Sequence, residues 1–367
     1  MKEIKIFIDH PFEAEIRYSL CLMEDSLDCK FNFLKNEQGE CLTINQSEGS
    51  SIKVSSEYFQ KLLSGETQWQ NYFTSESPVM FNGKPDYIFS IFYIANSFQE
   101  YNLKQHDQYD RLRTEDTWQC RFSLIKKNLV AGWIEKFAET YLSGLDVRVK
   151  TSKSQIFLSH DIDSVYGSLL QDSFWCLKKY RITDMLKIFI DTISAKPDWF
   201  NMDKIMQIEN EYDFRSTFFW IVTKDRGRYN LINADYDIHS KKVVSTLPKI
   251  SETGWTNGLH KSAASYSFEK ELKMFPDEFI ISNRYHYLLF NLPDGYKKIA
   301  DAGLKFDSSL GFADMMGFRN SYALPFKPYD LSSRKTYGFV ECPLHVMDTT
   351  YHFYNKLGAE RLVEDTI

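Results

Sequence analysis

A short apolar run that ends in two aspartates is the feature that most restricts what this chain can fold into. Ile156, Phe157 and Leu158 are followed directly by the polar run Ser159-His160-Asp161-Ile162-Asp163. Three apolar residues before a polar cluster predict a buried strand whose carboxyl end opens into a site. Side chains two positions apart in an extended chain share a face, so we expect Asp161 and Asp163 to lie side by side. Such a pair is a candidate site for a divalent cation. The plainer alternative is a solvated turn.

The length and charge of the chain restrict its class. Its 367 residues exceed what one core usually serves, which predicts two domains. The 50 acidic and 44 basic residues give a formal net charge of -6, without the basic surface expected of a nucleic-acid-binding protein. The cysteines include no Cys-x-x-Cys pair, so the spacing predicts neither a structural zinc site nor a disulfide framework.

No stretch of the sequence is typical of a membrane span or a signal peptide. Residues 1–8 alternate polar and apolar side chains like a strand and lack a long apolar core. Elsewhere no uninterrupted apolar run is long enough to cross a bilayer. The sequence therefore predicts a soluble, cytoplasmic protein without a membrane span.

Residues 1–150 are predicted to form a smaller α/β domain. After the strand at residues 1–8, apolar residues recur at helical spacing within residues 13–23, 85–98 and 130–141. A polar cluster at residues 106–111 is better explained as a solvated loop than as a site. The polar segment at residues 150–154 marks the predicted domain boundary.

Residues 151–367 are predicted to form a second domain, because strand-like and helix-like segments alternate there. Helix-like segments lie at residues 205–212, 240–252, 268–275 and 293–302, and strand-like runs at residues 214–222, 279–281, 304–306 and 337–343. This alternation predicts a parallel sheet with right-handed crossovers, closed or nearly closed into a barrel.

Several of these strand-like runs end in ionisable residues. In a barrel the carboxyl ends of the strands share one face, where we expect to find Asp161, Asp163, His260, Arg284, His286 and Asp307. Any one of them has an ordinary explanation as a hydrogen-bonded histidine or a surface charge. Together they favour a metal-dependent hydrolytic site.

A series of short motifs, in this order, resembles the NodB-type polysaccharide deacetylases. The motifs are His160-Asp161-Ile162-Asp163, Thr217-Phe218-Phe219, Gly258-Leu259-His260, Arg284-Tyr285-His286, Asp307-Ser308-Ser309-Leu310-Gly311, Gly317-Phe318-Arg319 and Pro325-Phe326. Residues 87–93, 100–101 and 110–111 also resemble the N-terminal domain of a branch found with bacterial surface-polysaccharide genes. The likeness covers nearly the whole chain. It implies an α/β protein with an incomplete (β/α) barrel preceded by a smaller α/β domain.

The resemblance also implies a chemistry and a role for individual residues. It implies hydrolysis of N-acetyl or O-acetyl groups on a carbohydrate with a divalent metal, zinc first and cobalt or nickel as alternatives. In this scheme Asp161 is the general base and Arg284 orients it, while Asp163 and His260 hold the metal. Asp307 and Arg319 are expected to bind the substrate.

Two departures from the family pattern leave a second function open. The family has another histidine four residues after the first, and Ala264 stands there, so we predict His286 as the third metal ligand. The family also has a late strand that supplies a general acid, and we expect this chain to lack its last strands. Either the chain is an active deacetylase, or it is a degenerate barrel that serves as a carbohydrate-binding or scaffold module.

Overall fold

The computed structural model describes residues 2–37, 39–46, 50–103, 106–151, 155–165, 200–276 and 280–350. The chain divides into two compact units: the first unit contains residues 1–154 and 288–367, and the second unit contains residues 155–287. The predicted domains, 1–150 and 151–367, stay a prediction, because compactness does not show which part folds alone. No helix in these described ranges is both long and apolar enough to span a bilayer.

The amino-terminal part of the first unit is a parallel sheet packed with helices. Its strands lie in the order β2-β1-β3-β4, and each neighbouring pair is parallel. The elements are β1 (Lys2–Ile8), α1 (Glu13–Ser26), β2 (Cys29–Leu34), β3 (Leu42–Asn45), β4 (Ile52–Lys53), α2 (Ser56–Leu63), β5 (Met80–Phe81), β6 (Lys84–Pro85), α3 (Tyr87–Ala95), α4 (Trp118–Arg121) and α5 (Leu129–Tyr141). The predicted first strand and the helices within residues 13–23 and 130–141 are confirmed.

Helix α3 is buried on every side. All of its residues are buried, which suits a helix without a polar face that packs against both α1 and α5. Its N-cap is Asp86, whose carboxylate accepts hydrogen bonds from the amides of Phe89 (3.0 Å) and Ser55 (2.9 Å). The helix predicted to begin near Pro85 is therefore confirmed, and its buried surface is wider than the predicted stripe.

The second unit contains four parallel strands that lie side by side in chain order. They are β7 (Ser159–Ile162), β8 (Thr217–Trp220), β9 (Thr256–Lys261) and β10 (Ser282–Tyr285). Helices α6 (Met202–Glu211), α7 (Lys241–Glu252) and α8 (Phe268–Met274) come between them in the sequence. The predicted alternation of helices with parallel strands is confirmed for these elements.

Two strands begin later than predicted. Ile156 and Phe157 precede β7 and are 67% and 51% exposed, so the predicted buried strand at residues 156–158 is wrong. Similarly, β10 begins after the exposed Ile281, and residue 279 of that predicted run lies outside the described residues. In both places the strand is formed by the polar residues next to the apolar run, because backbone pairing with the neighbouring strand sets its position.

The buried face of α6 includes an acidic residue. Ile208 and Tyr212, two apolar residues of the helix-like segment at residues 205–212, are exposed, whereas Glu209 is buried. The Glu209 carboxylate accepts hydrogen bonds from the hydroxyl of Ser216 (2.8 Å) and the indole of Trp255. These polar partners allow a carboxylate to take an inward position that the apolar spacing did not indicate.

The chain returns to the first unit at residue 288. Its elements there are α9 (Asp294–Asp301), β11 (Phe306–Asp307), β12 (Tyr329–Asp330), β13 (Lys335–Thr336) and β14 (Val340–Glu341). Strands β11 and β14 pair in parallel, and β12 and β13 pair antiparallel. The predicted helices that become α7 and α9 are followed by Gly254 and Gly303, whose φ angles of +95° and +73° suit glycine after a helix end. Residues 351–367, where the last strands were expected to be missing, lie outside the described residues.

Candidate metal and catalytic site

The carboxyl ends of three strands bring five of the predicted site residues together. Asp161 is the penultimate residue of β7, His260 of β9 and Arg284 of β10, while Asp163 and His286 lie just beyond β7 and β10. Parallel strands end at the same edge of a sheet, which is where ligands bind in open α/β proteins. The roles assigned to these five residues stay predictions.

Three atoms with metal-binding capacity converge at Asp163. Its Oδ1 lies 3.3 Å from Nε2 of His260 and 3.5 Å from Nε2 of His286. One ligand atom from each residue lies within 4.8 Å of the others. Both histidines are buried, whereas the Asp163 side chain is 50% exposed, so the group is open to solvent on the side of Asp163.

The second ring nitrogen of each histidine already has a hydrogen-bond partner. Nδ1 of His260 lies 2.9 Å from the carbonyl oxygen of Arg284, and Nδ1 of His286 lies 3.2 Å from Oδ1 of Asn233. A carbonyl oxygen can only accept, so Nδ1 carries the hydrogen in both rings. In the neutral rings both Nε2 lone pairs therefore face Asp163, as they do in histidines that ligate a metal.

The charges in this group shift one another's pKa. Although the Asp163 side chain is half exposed, desolvation by the protein around it acts to raise its pKa. Hydrogen bonds that His260 and His286 donate when their rings are protonated outweigh this effect and hold that pKa well below its usual range. Burial acts to lower the pKa of His260, but Asp161 and Asp163 outweigh it and raise that pKa. For His286 burial dominates, and its pKa is lowered. The carboxylates of Asp161 and Asp163 therefore stabilise a positive charge close to His260.

Asp161 is held by an arginine. Nη1 of Arg284 donates to Oδ1 of Asp161 (3.0 Å), and the other carboxylate oxygen lies 3.7 Å from Nε2 of His260. The buried Arg284 guanidinium lies over the ring of Phe219, 4.8 Å from its centroid. That ring occupies the space beside Gly258, where an added Cβ would lie 2.5 Å from Phe219. Gly258 therefore leaves room for the Phe219 ring, over which the Arg284 guanidinium lies.

A buried ion pair fixes the end of β9, the strand that carries His260. Nζ of Lys261 lies 2.6 Å from Oε1 of Glu271, and both side chains are buried. The Glu271 carboxylate also accepts hydrogen bonds from the amide (3.0 Å) and the hydroxyl (2.6 Å) of Ser262. A carboxylate satisfied by several donors holds the segment after His260 in one conformation.

The turn after Asp163 depends on a residue that the sequence did not point to. The carboxylate of Asp235 accepts hydrogen bonds from the amide of Val165 (2.9 Å) and the hydroxyl of Ser164. Asp235 and Asn233 both lie in the loop between β8 and α7, which matches no motif. The only sequence signal was a polar loop after a strand, and such loops are common.

The other motif residues have hydrogen-bond partners outside the group of five site residues. Arg319, in the first unit, is buried, and its Nε and Nη2 both donate to the carboxylate of Glu100. Asp307, also in the first unit, is buried and accepts hydrogen bonds from the amide (3.0 Å) and hydroxyl (3.1 Å) of Ser309. In the second unit, His160 lies 2.7 Å from Oε1 of Glu209. Substrate binding by Asp307 and Arg319 stays a prediction.

Comparison with known proteins gives matches among solved structures alone. No family model and no curated protein matches the chain. Two solved structures resemble it. One, from Mycobacterium smegmatis, is classed as a polysaccharide deacetylase, with a TM-score of 0.30, 14% identity, and coverage of 51% of this chain and 57% of that one. The other, from Bordetella bronchiseptica, is classed as a polysaccharide deacetylase involved in O-antigen biosynthesis, with a TM-score of 0.27, 14% identity, and coverage of 52% and 57%.

With TM-scores below 0.5 and 14% identity, neither likeness supports an argument about the function of this chain. The match spans little more than half the length of either one. The function of the candidate site is therefore argued from its own geometry.

Proposed function

We propose that this protein is a metal-dependent hydrolase that removes acetyl groups from a sugar or polysaccharide precursor. The observation that supports it most is the convergence of Asp163 Oδ1 with Nε2 of His260 and His286. Beside this group stands Asp161, a carboxylate held in place by Arg284. Metal-dependent hydrolysis by an activated water needs a cation site and a base close to it.

The donor set fits a divalent metal, with zinc first and cobalt or nickel as alternatives. Asp163, His260 and His286 would hold it, and two histidines with one carboxylate are a known ligand set of catalytic zinc sites. Three protein ligands leave a position for water or substrate. When bound, such an ion makes a water molecule more acidic and polarises the acyl oxygen of the substrate.

In this proposal Asp161 is the general base. Its Oδ2 is on the side of His260, and the partly exposed carboxylate can receive the proton that a water molecule loses as its oxygen bonds to the acetyl carbon. The bond from that carbon to the sugar nitrogen or oxygen then breaks, acetate forms, and the leaving atom takes up a proton. Arg284 keeps Asp161 in place with a charge-assisted hydrogen bond.

The proposal includes the finer architecture and setting predicted from the sequence. It retains the incomplete (β/α) barrel of the family, an accessory role for residues 1–150, a carbohydrate substrate and a cytoplasmic location. The run of four parallel strands in chain order, with the candidate site at their carboxyl ends, supports the barrel.

Ala264 favours the alternative, a degenerate barrel that binds carbohydrate or serves as a scaffold. This residue stands where the family has a second histidine, and its methyl group offers no ligand atom. Its amide lies 3.2 Å from the Ser262 hydroxyl. Unless His286 takes over the missing role, two protein ligands would hold a metal weakly, and a sugar would bind without turnover.

Metal analysis combined with acetate release from acetylated oligosaccharides tests the proposal. The wild type should contain stoichiometric metal, which Asp163→Ala, His260→Ala and His286→Ala should each remove to a similar degree. Asp161→Asn should retain the metal and lower acetate release about 10²–10⁴-fold. His239→Ala, at an exposed histidine of the same unit, is the matched control and should change neither.

Two outcomes would contradict the proposal. A metal-free wild type that binds oligosaccharide without releasing acetate would establish the alternative. Full metal content in His286→Ala, together with loss in His260→Ala, would remove His286 from the ligand set.

A further inference from the structure

The ring of His286 is held by a side chain outside all the predicted motifs, that of Asn233. Asn233 is 2% exposed, and every polar atom of its amide has a partner within the second unit. Its Oδ1 lies 3.2 Å from Nδ1 of His286 and 2.9 Å from the backbone nitrogen of Ala263. Its Nδ2 donates to the backbone carbonyl of Asp225.

These partners determine which way the amide of Asn233 points. A backbone N–H can only donate, so the atom that faces Ala263 is the oxygen. A backbone carbonyl can only accept, so the atom that faces Asp225 is the nitrogen. The oxygen that accepts from Ala263 also faces Nδ1 of His286. Nδ1 of His286 must therefore carry a hydrogen, which leaves the lone pair of the neutral ring on Nε2.

The other tautomer of His286, with the hydrogen on Nε2, would allow a different hydrogen bond. With its hydrogen on Nε2, the ring could donate to Oδ1 of Asp163, only 3.5 Å away. That bond would satisfy the carboxylate oxygen of Asp163, and the hydrogen on Nε2 would take the position that a cation needs. Some contact must therefore oppose this form if the three atoms at Asp163 are to accept a cation.

We propose that Asn233 is a positioning residue that fixes His286 in the Nδ1–H form and aims its Nε2 lone pair at Asp163. The lone pair matters only if a metal binds there, so this inference rests on the proposed function. The hydrogen bonds of Asn233 themselves do not depend on that function. Partners of this kind typically contribute about 10- to 100-fold to metal affinity.

His260 offers an internal comparison. Its Nδ1 donates to the main-chain carbonyl of Arg284 on the neighbouring strand. No side-chain substitution removes that carbonyl. The tautomer of His260 should therefore stay constant in any variant of Asn233 that keeps the sheet intact.

Nitrogen-15 NMR of the histidine rings tests the proposal in the full-length, metal-free protein. At a pH at which both rings are neutral, His260 and His286 of the wild type should be in the Nδ1–H form. In Asn233→Ala, His286 should change to the Nε2–H form while His260 stays as it was. Asn233→Leu, which restores the volume of the side chain without an acceptor, should give the same result and serves if the alanine variant does not fold.

Two variants control for effects other than the lost acceptor. Asn233→Asp keeps an oxygen for both Ala263 and His286, so it should retain the Nδ1–H form. Asn257→Ala removes another buried amide of the second unit, one that accepts from Trp220 (3.0 Å) and donates to the carbonyl of Leu247 (2.9 Å). It should leave both histidine tautomers unchanged.

Zinc titration of the same proteins gives the second readout. Affinity should fall about 10- to 100-fold in Asn233→Ala and stay near the wild-type value in Asn233→Asp and Asn257→Ala. The proposal is overturned if wild-type His286 is in the Nε2–H form or if its tautomer does not change in the alanine and leucine variants. A wild type with the expected tautomers that binds no divalent metal would support Asn233 as the positioning residue and contradict the proposed function instead.

Discussion

Two clusters of ionisable side chains, one in each unit, differ in how their hydrogen-bond donors and acceptors are matched. In the first unit Arg319 and Glu100 are both buried, and the guanidinium donates to both carboxylate oxygens and to the carbonyl of Gly311 (2.9 Å). In the second unit Oδ1 of Asp163 faces Nε2 of His260 and of His286, and in the neutral rings both of these nitrogens carry lone pairs. The first cluster matches donors with acceptors, whereas the second brings together three atoms that are all acceptors unless an imidazole is protonated.

The difference shows how to distinguish a structural charge cluster from a chemical one. Burial and ionisable residue types are common to both, so neither identifies a site. Atoms that can all accept and none donate need a proton or a metal ion between them. The comparison predicts that the first cluster contributes mainly to folding stability and the second mainly to ligand binding.

The largest effect on stability is expected where the matched pair is broken. Arg319→Ala leaves the Glu100 carboxylate buried without its cation, which should lower the free energy of unfolding by about 3–5 kcal/mol in urea denaturation. Arg113→Ala, which breaks a partly exposed pair with Glu115, is the control and should change stability little. Unchanged stability with weakened sugar binding in Arg319→Ala would instead support the substrate-binding role predicted from the sequence.

A second test concerns Asp86, a buried carboxylate of the first unit that has amide donors. Burial raises its pKa to about 6, against the hydrogen bonds from Phe89 and Ser55, which lower it. Between its ordinary pKa of 3.8 and about 6, the folded protein keeps a proton that the unfolded chain has lost. The contribution of Asp86 to stability should therefore be largest below this window and decrease as the pH rises through it, by up to about 3 kcal/mol.

The difference between wild type and Asp86→Asn isolates this contribution. The variant has no carboxyl group at position 86 to titrate, so its stability should decline less between pH 4 and 6. Glu341, whose pKa is raised by burial and by Asp307, contributes with the same sign in both proteins and cancels from the difference. Parallel stability profiles for the two proteins would contradict the prediction.

The third test adds a divalent cation to the second cluster. A ligand that binds only the folded state at about 100 times its dissociation constant stabilises that state by about 2.7 kcal/mol. Zinc should therefore raise the thermal midpoint of the wild type and of His239→Ala, and it should have little effect on Asp163→Ala. An equal rise in all three proteins would place zinc elsewhere on the molecule.

The smallest effect is expected at the support of Arg284. Gly258→Ala places a methyl group against the ring of Phe219 and the hydroxyl of Ser282, which must move, and should lower the free energy of unfolding by about 1–3 kcal/mol. Gly132→Ala, in the first turn of α5, where the added Cβ meets nothing within 4 Å beyond the local helix backbone, should instead raise it by about 0.5–1 kcal/mol. Denaturation of both variants checks the opposite signs, and a loss in both would mean that the contact with Phe219 is not the cause.

The sequence predicted the grouping of the site residues better than the elements that carry them. Asp161, Asp163, His260, Arg284 and His286 each belong to a short motif, and parallel strands place such motifs at one edge. The strand limits near residues 156–158 and 280–281 were wrong because apolar residues at a strand's entrance can be exposed. Whether they are buried depends on neighbours that a local pattern does not contain.

Asn233 and Glu209 could not be predicted for a related reason. A buried asparagine in a loop has the same local sequence as an ordinary turn residue, and only its partners, His286 and Ala263, distinguish it. Glu209 interrupts the apolar spacing of α6 because its hydrogen-bond partners come from elsewhere in the chain. Long-range polar contacts of this kind leave no periodic signal.

Arg284 serves the candidate site with two chemically different parts. Its side chain holds Asp161, and its backbone carbonyl holds Nδ1 of His260. A point mutation can replace the first part and cannot replace the second, since every residue type has a carbonyl. During divergence of such proteins, the orientation of His260 would thus be inherited with the sheet, while the partner of Asp161 stays open to selection. New reactivity at this edge would arise more readily around Asp161 than around His260.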